Sequence, residues 1–258
     1  MIPNPILKVL STFQKHRVRA LLIGGQACII YGAVEFSRDS DFVLLATPAN
    51  LRRLRAALKE LEAELIYVPP LQATYLRRGH ACHFRCRAPG VEGLRVNVLA
   101  RLRGCDEFAT LWRRRTTVTL PGGTRLEVIG LSDLVRCKKT QQDKDWFMLR
   151  RLVENDLFLH RARPGRGQVR WWLLECRSAE GLMVMARAHR GVTRRCVKQR
   201  PLLAHAIDGD TAALTAALSA EEQHERAADR AYWKPRLAEL EPLRHRRARR
   251  AAQGNPGP

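Results

Sequence analysis

Asp39 and Asp41 stand two residues apart, and Gly24–Gly25 precedes them by little more than one short helix. In an extended chain, residues at i and i+2 project from one face, so the two carboxylates are expected to converge. Like charges held together need a cation, and Mg²⁺ takes oxygen ligands while usually keeping several waters and substrate phosphates. A glycine turn opening a helix exposes backbone N–H groups and the positive end of the helix dipole, which suits a phosphate. Cation ligands beside a phosphate cradle point to metal-assisted phosphoryl or nucleotidyl transfer. Either motif alone is most simply a turn or a polar loop; their tandem order favours the chemical reading.

Three elements have to position these groups. Leu21–Leu22–Ile23 is a short apolar run ending in the glycines, which predicts a buried strand entering a tight turn. Gln26 to Tyr31 fits a short helix, and Phe42 to Ala46 a second strand, with Asp39–Ser40–Asp41 lying between them. Before them, residues 3–16 place Ile6, Val9, Leu10 and Phe13 on one helical face. After them, Thr47 is a plausible N-cap with Pro48 at the first helical position. Leu51, Leu54, Leu58 and Leu61 form that helix's apolar stripe, and Arg52, Arg53, Arg55 and Lys59 a solvated face.

Residues 80–87 and 94–101 predict two strands around a turn at Pro89–Gly90. Alternation places Cys82, Phe84 and Cys86 on one face and His83, Arg85 and Arg87 on the other. His80, Cys82, His83 and Cys86 match no common structural zinc spacing, so the cysteines are expected as buried strand residues. Further on, 106–115 is helical, and Thr116–Leu120 and Arg125–Ile129 form a hairpin around Gly122–Gly123. Ser132–Asp133 then caps a helix from Leu134 to Gln142.

The strand–GG–helix–DxD–strand order resembles the signature of the nucleotidyltransferase superfamily, with its DNA polymerase β-like fold. It is most similar to small bacterial members of the AbiEii and related toxin-type groups, whose usual text here is R-x-T-x-D-h-D. Ser37 stands for the threonine and Asp39 and Asp41 for the acids, while Glu35 replaces the arginine and Ser40 the apolar residue. The family's third acid falls on a later strand, and Asn97 in LRVNVLAR occupies that place. A carboxamide can offer a metal one neutral oxygen but cannot take a proton. KKTQQDKDWFMLRRLVEND resembles the family's closing helical motif, with Lys138 or Lys139 and then Lys144–Asp145 matching its basic positions.

The resemblance implies a metal-dependent transfer of a nucleoside monophosphate from an NTP to an acceptor hydroxyl of RNA, protein or a small molecule. Asp39, Asp41 and Asn97 would hold Mg²⁺ or Mn²⁺ and carry catalysis. Gly24, Gly25, Ser37, Arg38, Lys139 and Lys144 would bind the nucleotide. The alternatives are a catalytically weakened relative that binds nucleic acid or a protein partner, and a component of a toxin–antitoxin pair.

The whole chain sets bounds on these readings. Its 258 residues carry a net charge of +21 spread over both halves, a field that attracts polyanions, nucleic acid first among them. No apolar run approaches the ~20 residues of a membrane span, and the N-terminus lacks the pattern of a secretory signal. Seven scattered cysteines suit a reducing cytoplasm. His160 to Gly167, rich in Gly, Pro and charge, marks a boundary. The expectation is an α/β (α+β) domain over 1–160 with a mixed sheet flanked by helices, an all-helical domain over 161–251, and a disordered tail over 252–258. Asp210 is expected to cap one of the later helices, and Ser219 with Glu222 to form a capping box for another.

Overall fold

The computed structural model describes residues 4–34, 37, 39–120 and 123–252, with only the backbone of 250 and 251. Glu35, Arg38, Gly122 and the tail beyond residue 252 lie outside the described residues. The chain forms two compact units. The first takes the described residues of 1–30, 35–137 and 231–258, and the second those of 31–34 and 138–230.

The first unit opens with α1 (Asn4–Lys15), β1 (Ala20–Ile23), α2 (Gly24–Ile30), β2 (Asp39–Leu44) and α3 (Pro48–Glu60). It continues through β3 (Glu64–Leu65), α4 (Ala73–Arg77), β4 (Cys82–Arg85) and β5 (Arg95–Leu99). Helix α5 (Phe108–Arg113), the hairpin β6 (Thr116–Thr119) and β7 (Arg125–Val128), and α6 (Leu131–Cys137) complete its run. The described strands form one seven-stranded mixed sheet in the order β3-β4-β5-β2-β1-β7-β6. β1 lies antiparallel to β2 and parallel to β7, β2 lies parallel to β5, and β4 lies antiparallel to β5. Central strands are apolar because both of their faces are covered: Leu21, Leu22, Val43, Leu44, Val96 and Val98 are all buried. Phe13 of α1 packs on Phe42 of β2 with ring centroids 4.7 Å apart.

Local chemistry explains several boundaries. The Thr47 side chain accepts a hydrogen bond from the Asn50 backbone N–H, and Pro48 sits in the first turn of α3, as expected. The glycines lie inside the first turn of α2 rather than ahead of it. β2 begins at Asp39, not Phe42, because Asp39 and Asp41 are themselves paired to β5, opposite Arg95 and Asn97. Helix α6 is shorter than expected and starts at Leu131. Asp133 does not cap it; the buried carboxylate accepts from Arg114 Nε at 2.9 Å and Nη2 at 2.7 Å.

The second unit holds α7 (Asp143–His160), α8 (Gln168–Glu175), α9 (Ala179–Ala188), α10 (Arg190–Val197) and α11 (Leu203–Asp208). The long helix α12 (Thr211–Ala252) contributes to both units. The expected boundary near residue 160 lies inside the second unit, where Trp172 Nε1 of α8 donates to Asp156 Oδ2 of α7 at 2.7 Å. Asp210 accepts from the Ala213 N–H and caps α12, but Ser219 and Glu222 lie inside that helix and form no separate start. Within the first unit, the end of α12 is held by Glu239, 2.8 Å from buried His80 Nε2, and by Arg236, whose Nε donates to the Arg78 carbonyl. Among the described residues no helix is long and apolar enough to cross a membrane.

Candidate active site

The acids of β2 sit at the middle of the sheet. Asp39, Asp41, Arg95 and Asn97 share its half-exposed side, while Ser40 and Phe42 point the other way and are buried. The register aligns Ile23 of β1, Asp41 of β2, Asn97 of β5 and His83 of β4 in one row across four strands. Hydrogen bonds run along it. Asn97 Nδ2 donates to Asp41 Oδ1 at 2.8 Å, and Asn97 Oδ1 lies 2.8 Å from His83 Nδ1. Two register pairs away, on the same face, Arg95 Nε donates to Asp39 Oδ1 at 3.0 Å. The ring of exposed Tyr67 stands edge-on to His83 with centroids 5.7 Å apart.

The glycines are where the acid-bearing segment presses closest. Gly24 has φ +66°, a region that side chains rarely adopt, and a Cβ there would collide with the Asp41 carboxylate, 2.9 Å from Asp41 Cβ. A Cβ on Gly25 would collide with Ser37 in the same way, 2.7 Å from its Cβ. The side-chain amide of buried Gln26 donates to the Ser37 carbonyl at 2.8 Å and fixes that segment beside α2. The glycine pair therefore provides a side-chain-free floor against which Asp41 and Ser37 rest.

Charge in the row is partly balanced by protein groups. Asp39 is 30% exposed and its Arg95 partner 44% exposed, so the pair sits in water and contributes little stability. Such a pair can yield to a stronger cation. Asn97 supplies Asp41 with a neutral donor where an acid would repel it. Ser40 occupies a wholly buried position, and its hydroxyl finds no hydrogen-bond partner among the described residues. Burying it unpaired costs about 1–3 kcal/mol.

The structure brings together Gly24, Gly25, Ser37, Asp39, Asp41 and Asn97, all in the first unit. Lys139 and Lys144 belong to the second unit. There Lys139 Nζ lies 2.9 Å from Glu175 Oε2, Lys144 is exposed, and Lys138 Nζ pairs with Asp145 Oδ1 at 2.6 Å. Arg38 lies outside the described residues.

The residue missed as part of this site is His83, weighed only as a zinc ligand. A turn centred on Pro89–Gly90 would set His83 opposite Val96; the observed register is one residue longer and sets it opposite Asn97. The four zinc candidates disperse: His80 bonds Glu239, His83 bonds Asn97, and Cys82 and Cys86 are buried. Burial pushes the Cys82 thiol up to about 12 and that of Cys86 up to about 11, so both are inert at neutral pH. Among the described residues no group of three or more His, Cys, Asp or Glu is placed to hold a metal ion.

No protein-family model matches the chain, and no curated protein matches it.

Proposed function

We propose that the first unit is a nucleotidyltransferase-type domain of the DNA polymerase β-like kind. It would transfer a nucleoside monophosphate from an NTP to an acceptor hydroxyl and release pyrophosphate. The observation that carries the proposal is the placement of Asp41 between the glycine floor of α2 and Asn97 of β5, with Asp39 on the same face. The donor set fits a divalent cation: two half-exposed carboxylates offer hard oxygens, and one of them, Asp41, is seated against the glycines of α2. Asp39 and Asp41 would hold Mg²⁺ or Mn²⁺, which when bound neutralises the charge that develops on the transferring phosphate.

The chain's own residues do the rest. Gly24 and Gly25 let the Asp41 carboxylate and Ser37 rest against the backbone where any side chain would displace them, so the glycines position the acid rather than the phosphates. Ser37, held by Gln26, borders the same floor. Asn97 orients the Asp41 carboxylate through its Nδ2 hydrogen bond, and His83 fixes which way the amide faces. Asn97 cannot accept the proton of the attacking hydroxyl, so that proton leaves without help from a carboxylate at this position.

A second reading has its own support: Arg95 already pairs Asp39 and the Asn97 amide already satisfies one oxygen of Asp41. Those partners suit a site that binds Mg²⁺–NTP without transferring it. The two separate on one experiment, in which the chain is incubated with each α-labelled NTP, Mg²⁺ or Mn²⁺, and total RNA or protein. Covalent label on an acceptor, lost in Asp39→Asn and Asp41→Asn, supports transfer. Metal-dependent NTP binding with no label supports the binding module. Neither binding nor label rejects both.

A further inference from the structure

A second feature of the first unit lies on the other side of the sheet from the acids. A cleft of about 470 Å³ opens between α1, the start of β1, α3 and the β6–β7 hairpin. Phe42 lines it, and alternation along β2 puts Phe42 on the face opposite Asp41. Ala20, also in its lining, is three residues before Ile23, about 10 Å along the strand from the acidic row.

Its rim is basic. Arg17, Arg19, Arg53, Arg115 and Arg125 all contribute to it, against one carboxylate, Glu127. Glu127 is taken by Arg115, at 2.6 Å. Among the described residues the other four arginines pair with no carboxylate, and all four are exposed. Arg53 Nη1 donates to the Arg17 carbonyl at 3.4 Å, tying α3 to the loop that leads into β1. Arg19 and Arg115 both stack on Trp112, with guanidinium carbons 5.1 and 4.3 Å from the ring centroid. Four uncompensated guanidinium groups around one hollow repel each other, an arrangement that an anion relieves. The floor, by contrast, is apolar, built from Leu10, Phe13, Phe42 and Leu126.

We propose that this cleft binds single-stranded nucleic acid, with one nucleoside lodged on the apolar floor and the flanking phosphates on Arg17, Arg19, Arg53 and Arg125. Several separated cations demand several linked anions, which a polynucleotide backbone supplies. The hollow falls in the ~300–1,000 Å³ range of sites that enclose a small organic group. It therefore admits an unstacked nucleoside, which a duplex keeps inside its stack. Binding here is independent of the phosphoryl-transfer reading, because the cleft shares no residue with the acidic row.

The test is fluorescence anisotropy of the full chain with a labelled single-stranded oligoribonucleotide, titrated between about 50 and 200 mM salt. Arg53→Gln/Arg125→Gln removes two phosphate contacts from exposed positions without touching the Arg115–Glu127 pair. For the folded variant, checked by circular dichroism and melting, affinity should fall about tenfold or more at low salt. The slope of log affinity against log salt should become shallower by about 1.4, two contacts at ~0.7 each for a single strand.

Unchanged affinity and slope in the double variant would overturn the proposal. So would equal affinity for the duplex of the same sequence, or inorganic phosphate or a mononucleotide competing as well as the oligonucleotide. Photocross-linking of thiouridine-substituted RNA to the wild type gives a readout that needs no variant. Cross-links in peptides spanning 10–19 or 112–126 support the site, and cross-links confined elsewhere reject it.

Discussion

Asn97 is the residue on which the proposed chemistry turns. It stands opposite Asp41 in the parallel register of β2 and β5, hydrogen-bonded at 2.8 Å to both Asp41 and His83. Asn97→Asp would put a third carboxylate into this row. In chelator the added charge repels Asp41, so the variant should melt below the wild type. With Mg²⁺ the order should reverse, because a ligand bound only by the folded state stabilises it. If loss of the hydroxyl proton limits transfer, label transfer should rise by about 10²- to 10⁴-fold. Melting of both proteins with and without Mg²⁺ checks the first part, and labelled NTP the second. A variant whose melting ignores the metal would remove Asn97 from the metal site.

At the scale of elements, the second unit is pinned by a buried charge cluster. Glu221 of α12 pairs with Arg177, in the segment after α8, and with Arg200, whose Nη2 lies 2.7 Å away. Both arginines are buried, and Arg200 Nη1 also donates to the Leu173 carbonyl of α8 at 2.8 Å. Burial alone would raise the Glu221 pKa, but the two guanidinium groups outweigh it and hold the carboxyl below its ordinary 4.5. The folded state thus binds the proton more weakly than the unfolded chain. The contribution is complete above about pH 4.5 and is lost as pH falls through the lowered pKa. Glu221→Gln leaves buried arginines without their counter-charge and should destabilise the protein by about 3 kcal/mol at neutral pH. Urea denaturation at neutral pH and again well below pH 4.5 checks this. The gap between variant and wild type should shrink in acid, and a constant gap would mean that charge is not what Glu221 contributes.

At the scale of the whole molecule, the net charge of +21 acts in two ways that experiment can separate. A diffuse positive field speeds encounter with any polyanion, whereas phosphates held on particular arginines set the salt slope of the affinity. Arg246 and Arg247 are exposed near the end of α12 and belong to the diffuse part. Arg246→Ala/Arg247→Ala should slow association with single-stranded RNA at low salt. It should also change the equilibrium salt slope by less than the double substitution in the arginine cleft does. Stopped-flow association alongside equilibrium titration distinguishes them. A slope change equal to or larger than that of the cleft variant would place the phosphates on α12 instead.

The sequence by itself determined the elements that local chemistry dictates. The strand ending at Gly24, the Thr47 cap of α3, the split faces around Cys82 and His83, and the helical nature of the later chain are all written in periodicity and turn residues. It also brought Asp39 and Asp41 to one face, since alternation needs no knowledge of neighbours. What it did not determine depends on which strands pair. The parallel alignment of β2 with β5 is a contact across more than fifty residues of chain; it extends β2 back to Asp39, beyond the Ile23–Asp41 pair that closes the β1–β2 register, and sets Asn97 beside Asp41. The partners of Lys139 and Asp133 were decided in the same way, because each charge settles on whichever opposite charge the packed helices bring within reach. So was the arginine cleft: its five rim arginines come from the α1–β1 loop, α3 and the β6–β7 hairpin region, and only packing gathers them around one hollow.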